Sequence, residues 1–368
     1  MDSTVYDEFG PEKVIKVYDP ASGMHGMVVI DNTSLGPGKG GIRMTPTVSE
    51  EEVFRLARTM TWKNALAGIP MGGAKSGIVA DANIISPSKK RQMVEAFGRA
   101  LKIVSPDHYI AAPDMNMGST EMEWFVKANG SSRSATGKPA HMGGLPHELG
   151  STGFGVFHSA LVAAKHAAIE MSEASIAIEG FGNVGSFAAK FLSDCGCRIV
   201  AVSDSKGIIH NSKGIDFGKL TRVKKETGSV VNYHPGSKAC CSDILDVNAD
   251  ILITAAIPDL IKPGDVERLK YKLVVEGSNI PMSTETEERL HSKGILVVPD
   301  FVANAGGVIS SYVEHTGGGQ KKMFREIEEK IKKNTMSVLR ESKKTGKTPR
   351  EAAMRIAMKR VREAKKNA

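Results

Sequence analysis

The chain has 368 residues, 41% apolar and 24% charged, a composition that fits a soluble globular protein with room for two ordinary domains. No apolar run is long enough to span a bilayer, which excludes a helical membrane protein. The formal net charge of +8 is unevenly placed: residues 321–368 hold 17 Lys or Arg against 6 Asp or Glu, so that segment carries +11 and the rest of the chain −3.

In chain order, Met1-Asp2-Ser3-Thr4 offers neither a basic n-region nor an apolar h-region, so a cytoplasmic protein is expected. A strand-like run, Met27-Val28-Val29-Ile30, leads to a glycine-rich turn, Leu35-Gly36-Pro37-Gly38-Lys39-Gly40-Gly41. Ser49 and Glu52 read as a capping box for a helix whose apolar face carries Val53, Leu56, Ala57, Met60 and Asn64, with Lys63 at its edge. A second glycine cluster follows, Met71-Gly72-Gly73-Ala74-Lys75-Ser76-Gly77, and Ser86-Pro87 opens another helix. Beyond residue 170, short apolar strands at 176–178, 199–202, 251–254, 273–275 and 295–298 alternate with helices, predicting a mostly parallel doubly wound sheet. After Gly317 the pattern is purely helical, and Thr348-Pro349-Arg350-Glu351 caps the last helix. The basic tail reads as a solvated helical face, since aromatic residues are not regularly interleaved with its charges. No nucleic-acid or membrane partner is expected. Cys195, Cys197, Cys240 and Cys241 have spacings that suit neither a zinc site nor a disulfide framework, so free thiols and no metal are expected.

Gly180-Phe181-Gly182-Asn183-Val184-Gly185 matches Gly-x-Gly-x-x-Gly. It follows a strand and opens a helix, and Asp204 lies 19 positions past Gly185 at the end of the next strand. That order is the mark of a dinucleotide-binding unit, with glycines for close approach, a helix N-terminus for pyrophosphate, and an acid for ribose. A carboxylate at Asp204 disfavours a 2′-phosphate, whereas Ser203, Ser205 and Lys206 favour one, so NAD and NADP both remain open. In the first half, Lys39, Lys63 and Lys75 fall within 37 residues, in or beside the glycine-rich turns. A lysine desolvated in such a cleft has its pKa lowered, and either binds a carboxylate or transfers protons. A surface lysine is the ordinary alternative for any one of them.

The sequence resembles the glutamate, leucine, phenylalanine and valine dehydrogenase superfamily from about Asp19 onward. The motifs that carry the resemblance are Gly36-Pro37-Gly38-Lys39-Gly40-Gly41-Ile42-Arg43, Met60-Thr61-Trp62-Lys63-Asn64 and Pro70-Met71-Gly72-Gly73-Ala74-Lys75-Ser76-Gly77. They continue with Ala112-Pro113-Asp114-Met115-Asn116, Ser151-Thr152-Gly153, Glu276-Gly277-Ser278-Asn279 and Asn304-Ala305-Gly306-Gly307-Val308. The resemblance implies a two-domain α/β fold. On that resemblance residues 1–150 are expected to form a substrate and oligomerisation domain and 151–335 a Rossmann-type dinucleotide domain, with the terminal helix 336–368 expected to pack back on the first. It also implies a catalytic Lys75, a proton-transferring Asp114, Lys63 on the substrate α-carboxylate, Lys39 and Ser311 on a side-chain carboxylate, and Asn304 near the reacting centre. Thr152, Asn183, Ala256 and Asn279 correspond to cofactor contacts.

The implied reaction oxidises an amino acid at Cα with hydride transfer to NAD or NADP. Hydrolysis of the imine then gives a 2-oxo acid and ammonia, and each stage needs proton transfer. Such an enzyme is expected to close its cleft during hydride transfer, and to be a homo-oligomer, with a hexamer favoured. Lys39 favours glutamate, because an unpaired lysine in an apolar substrate pocket is costly. Glu148 departs from the glutamate pattern, which has an arginine there, and the stretch from Asp19 to Pro37 looks more like the leucine branch. A branched-chain substrate is therefore the first alternative. A non-catalytic nicotinamide-binding regulator is the alternative from another class, and the presence of both Lys75 and Asp114 speaks against it.

Overall fold

A computed structural model of the chain describes residues 6–367. It divides into two compact units. One comprises residues 1–149, 308–326 and 354–368, the other residues 150–307 and 327–353. The first boundary thus falls at 149/150, while 308–326, expected in the dinucleotide domain, belongs to the first unit. The expected terminal segment 336–368 is shared: 336–353 belongs to the second unit and 354–368 to the first.

The first unit opens with β1 (Lys13–Asp19), β2 (Met24–Asn32) and β3 (Gly38–Thr45), followed by α1 (Glu50–Ala67), β4 (Gly72–Val79), α2 (Pro87–Ala100), β5 (Tyr109–Ala112) and α3 (Ser119–Asn129). Its sheet has the order β1-β2-β4-β3-β5. β3 runs parallel to both β4 and β5, and β2 is antiparallel to β4. Val28, Ile30, Ile42, Met44 and Ile78 meet Phe97 of α2 and Phe125 of α3 in one core. On the other side Val29 and Val48 meet Val53 and Ala57 of α1, so Leu56 and Met60 are only half-buried. Both glycine-rich stretches, read from sequence as turns, are largely strand. Glycine is depleted in strands as a rule, but here α1 lies so close that a Cβ on Gly73 would sit 2.1 Å from Thr61 Oγ1. Arg360, near the chain's end, donates to the carbonyls of Ala65 and Leu66 in the last turn of α1, where a cation also complements the helix dipole.

The second unit continues with α4 (Ser151–His166), β6 (Ser175–Glu179), α5 (Asn183–Asp194), β7 (Arg198–Asp204), β8 (Gly207–His210), α6 (Phe217–Thr227), β9 (Ser237–Ala239), β10 (Ile251–Thr254), β11 (Leu273–Glu276), α7 (Thr284–Ser292), β12 (Leu296–Val298) and α8 (Asp300–Ala303). Three more helices complete the chain, α9 (Gly306–His315), α10 (Gln320–Thr345) and α11 (Pro349–Asn367). The sheet order is β12-β11-β10-β6-β7-β8-β9, parallel from β12 to β7. The five expected strands are all present. The antiparallel pair β8 and β9 was not among them. β7 and β10 leave β6 in opposite directions, so the loop after β6 lies at the topological switch point where α/β sheets bind ligands. Thr348 Oγ1 accepts from Glu351 N while the Glu351 carboxylate accepts from Thr348 N, a reciprocal cap that contributes about 1 kcal/mol. No described helix is long and apolar enough to cross a membrane.

Candidate active site

Lys75 stands in the middle of β4, and Asp114 in the loop that follows β5. Strand β3 lies between those two strands. A Cβ on Gly41 of β3 would sit 2.8 Å from Asp114 Cβ and 3.3 Å from Lys75 Nζ. With glycine there, the two side chains meet above the strand, Nζ to Oδ2 at 2.8 Å. Arg43, two residues on and so on the same face, donates Nε to the same Oδ2 at 3.0 Å and pairs through Nη1 with Glu52 at 2.5 Å. Arg43 and Glu52 were missed as site residues. The Glu52 amide does donate to Ser49 Oγ as the capping box predicts, but its carboxylate serves Arg43. The only available signal was Arg43 at the end of the first lysine motif.

Burial pulls the Lys75 pKa down, Asp114 opposes this, Arg43 adds to it, and the net shift is downward. For Asp114 burial raises the pKa, but the Lys75 ammonium and the Arg43 guanidinium outweigh it, so the carboxyl is held below its usual range. The result is a firmly ionised carboxylate beside a lysine that releases its proton more readily than a free one. Asp114 is a turn residue rather than a helix cap, since Gly118 takes the N-cap position of α3.

Lys39, on β3, is only 2% exposed. Its Nζ donates to the Ala111 carbonyl at 2.7 Å. Burial depresses its pKa to about 7, with Glu314 acting upward and Lys138 and Lys75 downward. Glu314, on α9, is already committed. It accepts from Lys138 Nζ at 2.7 Å and from the amides of Gly137 and Leu145, each at 2.9 Å. No carboxylate lies within ion-pair distance of Lys39 among the described residues. Ser311 is half-buried one turn before Glu314 and His315 on the same helix. Burial and nearby cations, Lys39 among them, lower the His315 pKa to about 4. Lys63 is half-buried near the end of α1. Glu148 is exposed in a short 3₁₀ turn at His147–Leu149.

In the second unit, β6 runs into the glycine turn and α5. A Cβ on Gly185 would lie 1.8 Å from the Gly180 carbonyl oxygen, whereas one on Gly182 would meet nothing within 4 Å. Gly182 and Asn183 are exposed, and no side chain caps α5. The turn is therefore tight inside and open outside, as an anion at a helix N-terminus needs, and the residues fit a bound dinucleotide. The side chain of Phe181 does something else: it is buried and packs on Phe217 with ring centroids 6.3 Å apart. Ser203 is buried and its Oγ accepts from Gly180 N at 3.1 Å, so it buttresses the turn. Val184 and Thr152 are half-buried at the starts of α5 and α4.

Asp204, expected to accept from the ribose, also accepts from the protein's own donors. Its Oδ1 accepts from Lys206 N and Ser229 Oγ, and its Oδ2 from Lys224 Nζ at 2.6 Å and Val230 N at 2.9 Å. All four lone-pair sites are filled by the protein's own donors. Three of them come from the segment 224–230, whose approach no local pattern announces. Ala256 is exposed after β10, in a loop whose amides at Ala255 and Ala256 donate to the Glu179 carboxylate at 2.9 and 3.0 Å. Asn279 is exposed after β11, and Asn304 Nδ2 donates to its Oδ1 at 2.9 Å and to the Gly277 carbonyl at 3.3 Å. The four cysteines are free thiols, and no metal-binding cluster occurs among the described residues.

A family model described as Glutamate/Leucine/Phenylalanine/Valine dehydrogenase matches residues 143–368. A second, the dimerisation domain of Glu/Leu/Phe/Val dehydrogenase, matches residues 11–130. A glutamate dehydrogenase of Aeropyrum pernix is 40% identical over 352 residues, covering 91% of this chain and 84% of that protein. An NADP-specific glutamate dehydrogenase of Saccharolobus shibatae is 39% identical over 318 residues, covering 83% and 75%. Among solved structures, glutamate dehydrogenase from Peptoniphilus asaccharolyticus superposes with a TM-score of 0.85 at 29% identity, covering 97% of this chain and 91% of that one. The chain belongs to the glutamate/leucine/phenylalanine/valine dehydrogenase family and is an amino acid dehydrogenase that uses NAD or NADP.

Proposed function

We propose that the protein catalyses the reversible oxidative deamination of L-glutamate to 2-oxoglutarate and ammonia. The observation that carries the substrate is Lys39, a buried lysine with no ion-pair partner among the described residues; Glu314, the carboxylate that acts on its charge, is committed to other donors. A substrate γ-carboxylate supplies the missing counter-charge, and a leucine or valine side chain does not. The similarity to glutamate dehydrogenases supports the same reading.

In this account Lys39 and Ser311 bind the side-chain carboxylate and Lys63 the α-carboxylate. Thr152, the turn from Gly180 to Gly185, Ala256 and Asn279 hold the dinucleotide, with Asn304 near the reacting centre. The bound nicotinamide supplies the hydride acceptor for Cα. Asp114 Oδ2 is taken by Lys75 and Arg43, so proton transfer falls to Oδ1, which accepts no hydrogen bond among the described residues. Lys75 stabilises the oxygen charge that develops as water adds to the imine, and its lowered pKa lets it hand on a proton as the carbinolamine collapses. We place the enzyme in the cytoplasm as a homo-oligomer, with a hexamer favoured, assembled through the first unit. The match of residues 11–130 to a dimerisation domain supports that surface.

The test is product analysis. Glutamate with NAD or NADP is expected to yield reduced nicotinamide, 2-oxoglutarate and ammonia in equal amounts. Reduction without ammonia release removes the reading. For cofactor choice, a carboxylate neutralised by Lys224 does not repel a 2′-phosphate, so the arrangement admits NADP. Lys224→Ala leaves Asp204 without its cation, and is expected to lower the ratio of kcat/KM for NADP over NAD by roughly tenfold, the equivalent of about 1.4 kcal/mol. An unchanged ratio contradicts this role of the pair.

A further inference from the structure

We infer that Arg350 is a positioning residue for the cofactor loop at Gly277–Asn279, acting through Asp300 and Glu276. This rests on the proposal that Asn279 contacts the dinucleotide. Arg350 lies in the first turn of α11 and touches no residue assigned to substrate or cofactor. Its Nη2 donates to Glu276 Oε2 at 2.9 Å and to Asp300 Oδ1 at 3.0 Å, and its Nε to Glu287 Oε1 at 2.6 Å. The three carboxylates belong to separate elements, the end of β11, the start of α8 and α7.

The loop is bracketed by this cluster. Glu276 immediately precedes it, and Ile280, which follows it in the left-handed region at φ 49°, donates its amide to Asp300 Oδ2 at 3.0 Å. Asp300 N in turn donates to Glu276 Oε2 at 2.8 Å. The helix begun by Asp300 ends at Asn304, whose amide holds Asn279 Oδ1 and the Gly277 carbonyl. Both ends of the loop are therefore tied to one guanidinium, through Glu276 on one side and Asp300 on the other. A strained residue at a loop end persists only where its surroundings over-determine it, and this network does so.

One cation faces three carboxyls with little exposure to solvent, so the cluster has more negative charge than Arg350 alone offsets. Burial and the neighbouring Glu287 push the Glu276 pKa well up. Glu276 Oε1 is buried with no hydrogen-bond partner, which disfavours its charged form. A lysine in place of Arg350 keeps the charge but cannot reach three partners at once.

The experiment is dinucleotide titration of the full-length protein, read by nicotinamide fluorescence, with wild type, Arg350→Lys, Asn279→Ala and the double variant. Arg350→Lys is expected to weaken dinucleotide binding about tenfold (about 1.4 kcal/mol) while the KM for glutamate stays within about twofold. The effect should vanish in the Asn279→Ala background, because two changes acting through one contact are not additive. An unchanged dissociation constant in Arg350→Lys, or full additivity with Asn279→Ala, overturns the inference. Should Arg350→Lys fail to fold, Asp300→Asn, which weakens the same bracket without removing the cation, carries the same two readouts. Wild-type protein that binds neither NAD nor NADP instead removes the cofactor reading itself.

Discussion

Replacing Lys75 with alanine should leave a folded protein that binds its cofactor normally and has lost turnover by several orders of magnitude, about 10⁴-fold for the loss of a proton-transferring group. Folding should survive because Arg43 still holds Asp114 Oδ2, so the carboxylate keeps its place. Burial of Lys75 itself works against its charge, so removing it should cost little stability. The measurement is kcat alongside a dinucleotide titration and a thermal melt. Turnover within tenfold of wild type removes Lys75 from the chemistry. Loss of cofactor binding together with turnover makes its role architectural.

Lys39→Met should act on specificity and stability in opposite directions. For glutamate, kcat/KM should fall at least 100-fold, since a desolvated carboxylate is left unpaired, a loss of about 3 kcal/mol or more. Uncharged amino acids of similar length should lose little. Stability should rise. The folded pKa of about 7 lies below the ordinary 10.5, a shift that costs about 5 kcal/mol at about 1.4 kcal/mol per unit.

The sign follows from which state binds the proton more tightly. Below pH 7 both folded and unfolded chains carry the ammonium and the folded state bears the full cost. Between pH 7 and 10.5 the folded lysine is neutral while the unfolded one is still charged, and the cost fades. The variant's advantage, about 2–4 kcal/mol after the lost hydrogen bond to Ala111, should thus be largest at pH 7 and below and shrink towards pH 10.5. Wild-type KM for glutamate should rise above pH 7 as the ammonium is lost, and the variant should show no such rise. Denaturant melts and KM profiles across that range read both effects. A variant less stable than wild type at pH 7 contradicts the buried-cation account.

Much of the second unit was legible because buried parallel strands are short apolar runs and the glycine turn has fixed spacing. The lysine motifs were legible as motifs, but the strands that carry them were not. Gly38 to Gly41 and Gly72 to Gly77 lack the β-branched residues that signal strand, and their reason for being glycine, the approach of α1, Lys75 and Asp114, is tertiary. The same holds for side-chain partnerships. Asp204 meets donors from Lys224 to Val230, Arg43 reaches Asp114 across 71 positions, and Arg350 joins carboxylates 50 to 74 positions away. Nothing local marks such pairs. Residue type predicted that Asp204 would be an acceptor, but not that its acceptors would be filled by its own chain.

We propose that Lys39 sets a glutamate specificity on the site formed by Lys75 and Asp114. The most direct test is the steady-state kcat/KM of the purified protein for L-glutamate against L-leucine and L-valine, each with NAD and with NADP. At least about 100-fold preference for glutamate with the better cofactor is expected, the equivalent of about 3 kcal/mol. Equal or greater efficiency with leucine or valine would contradict it.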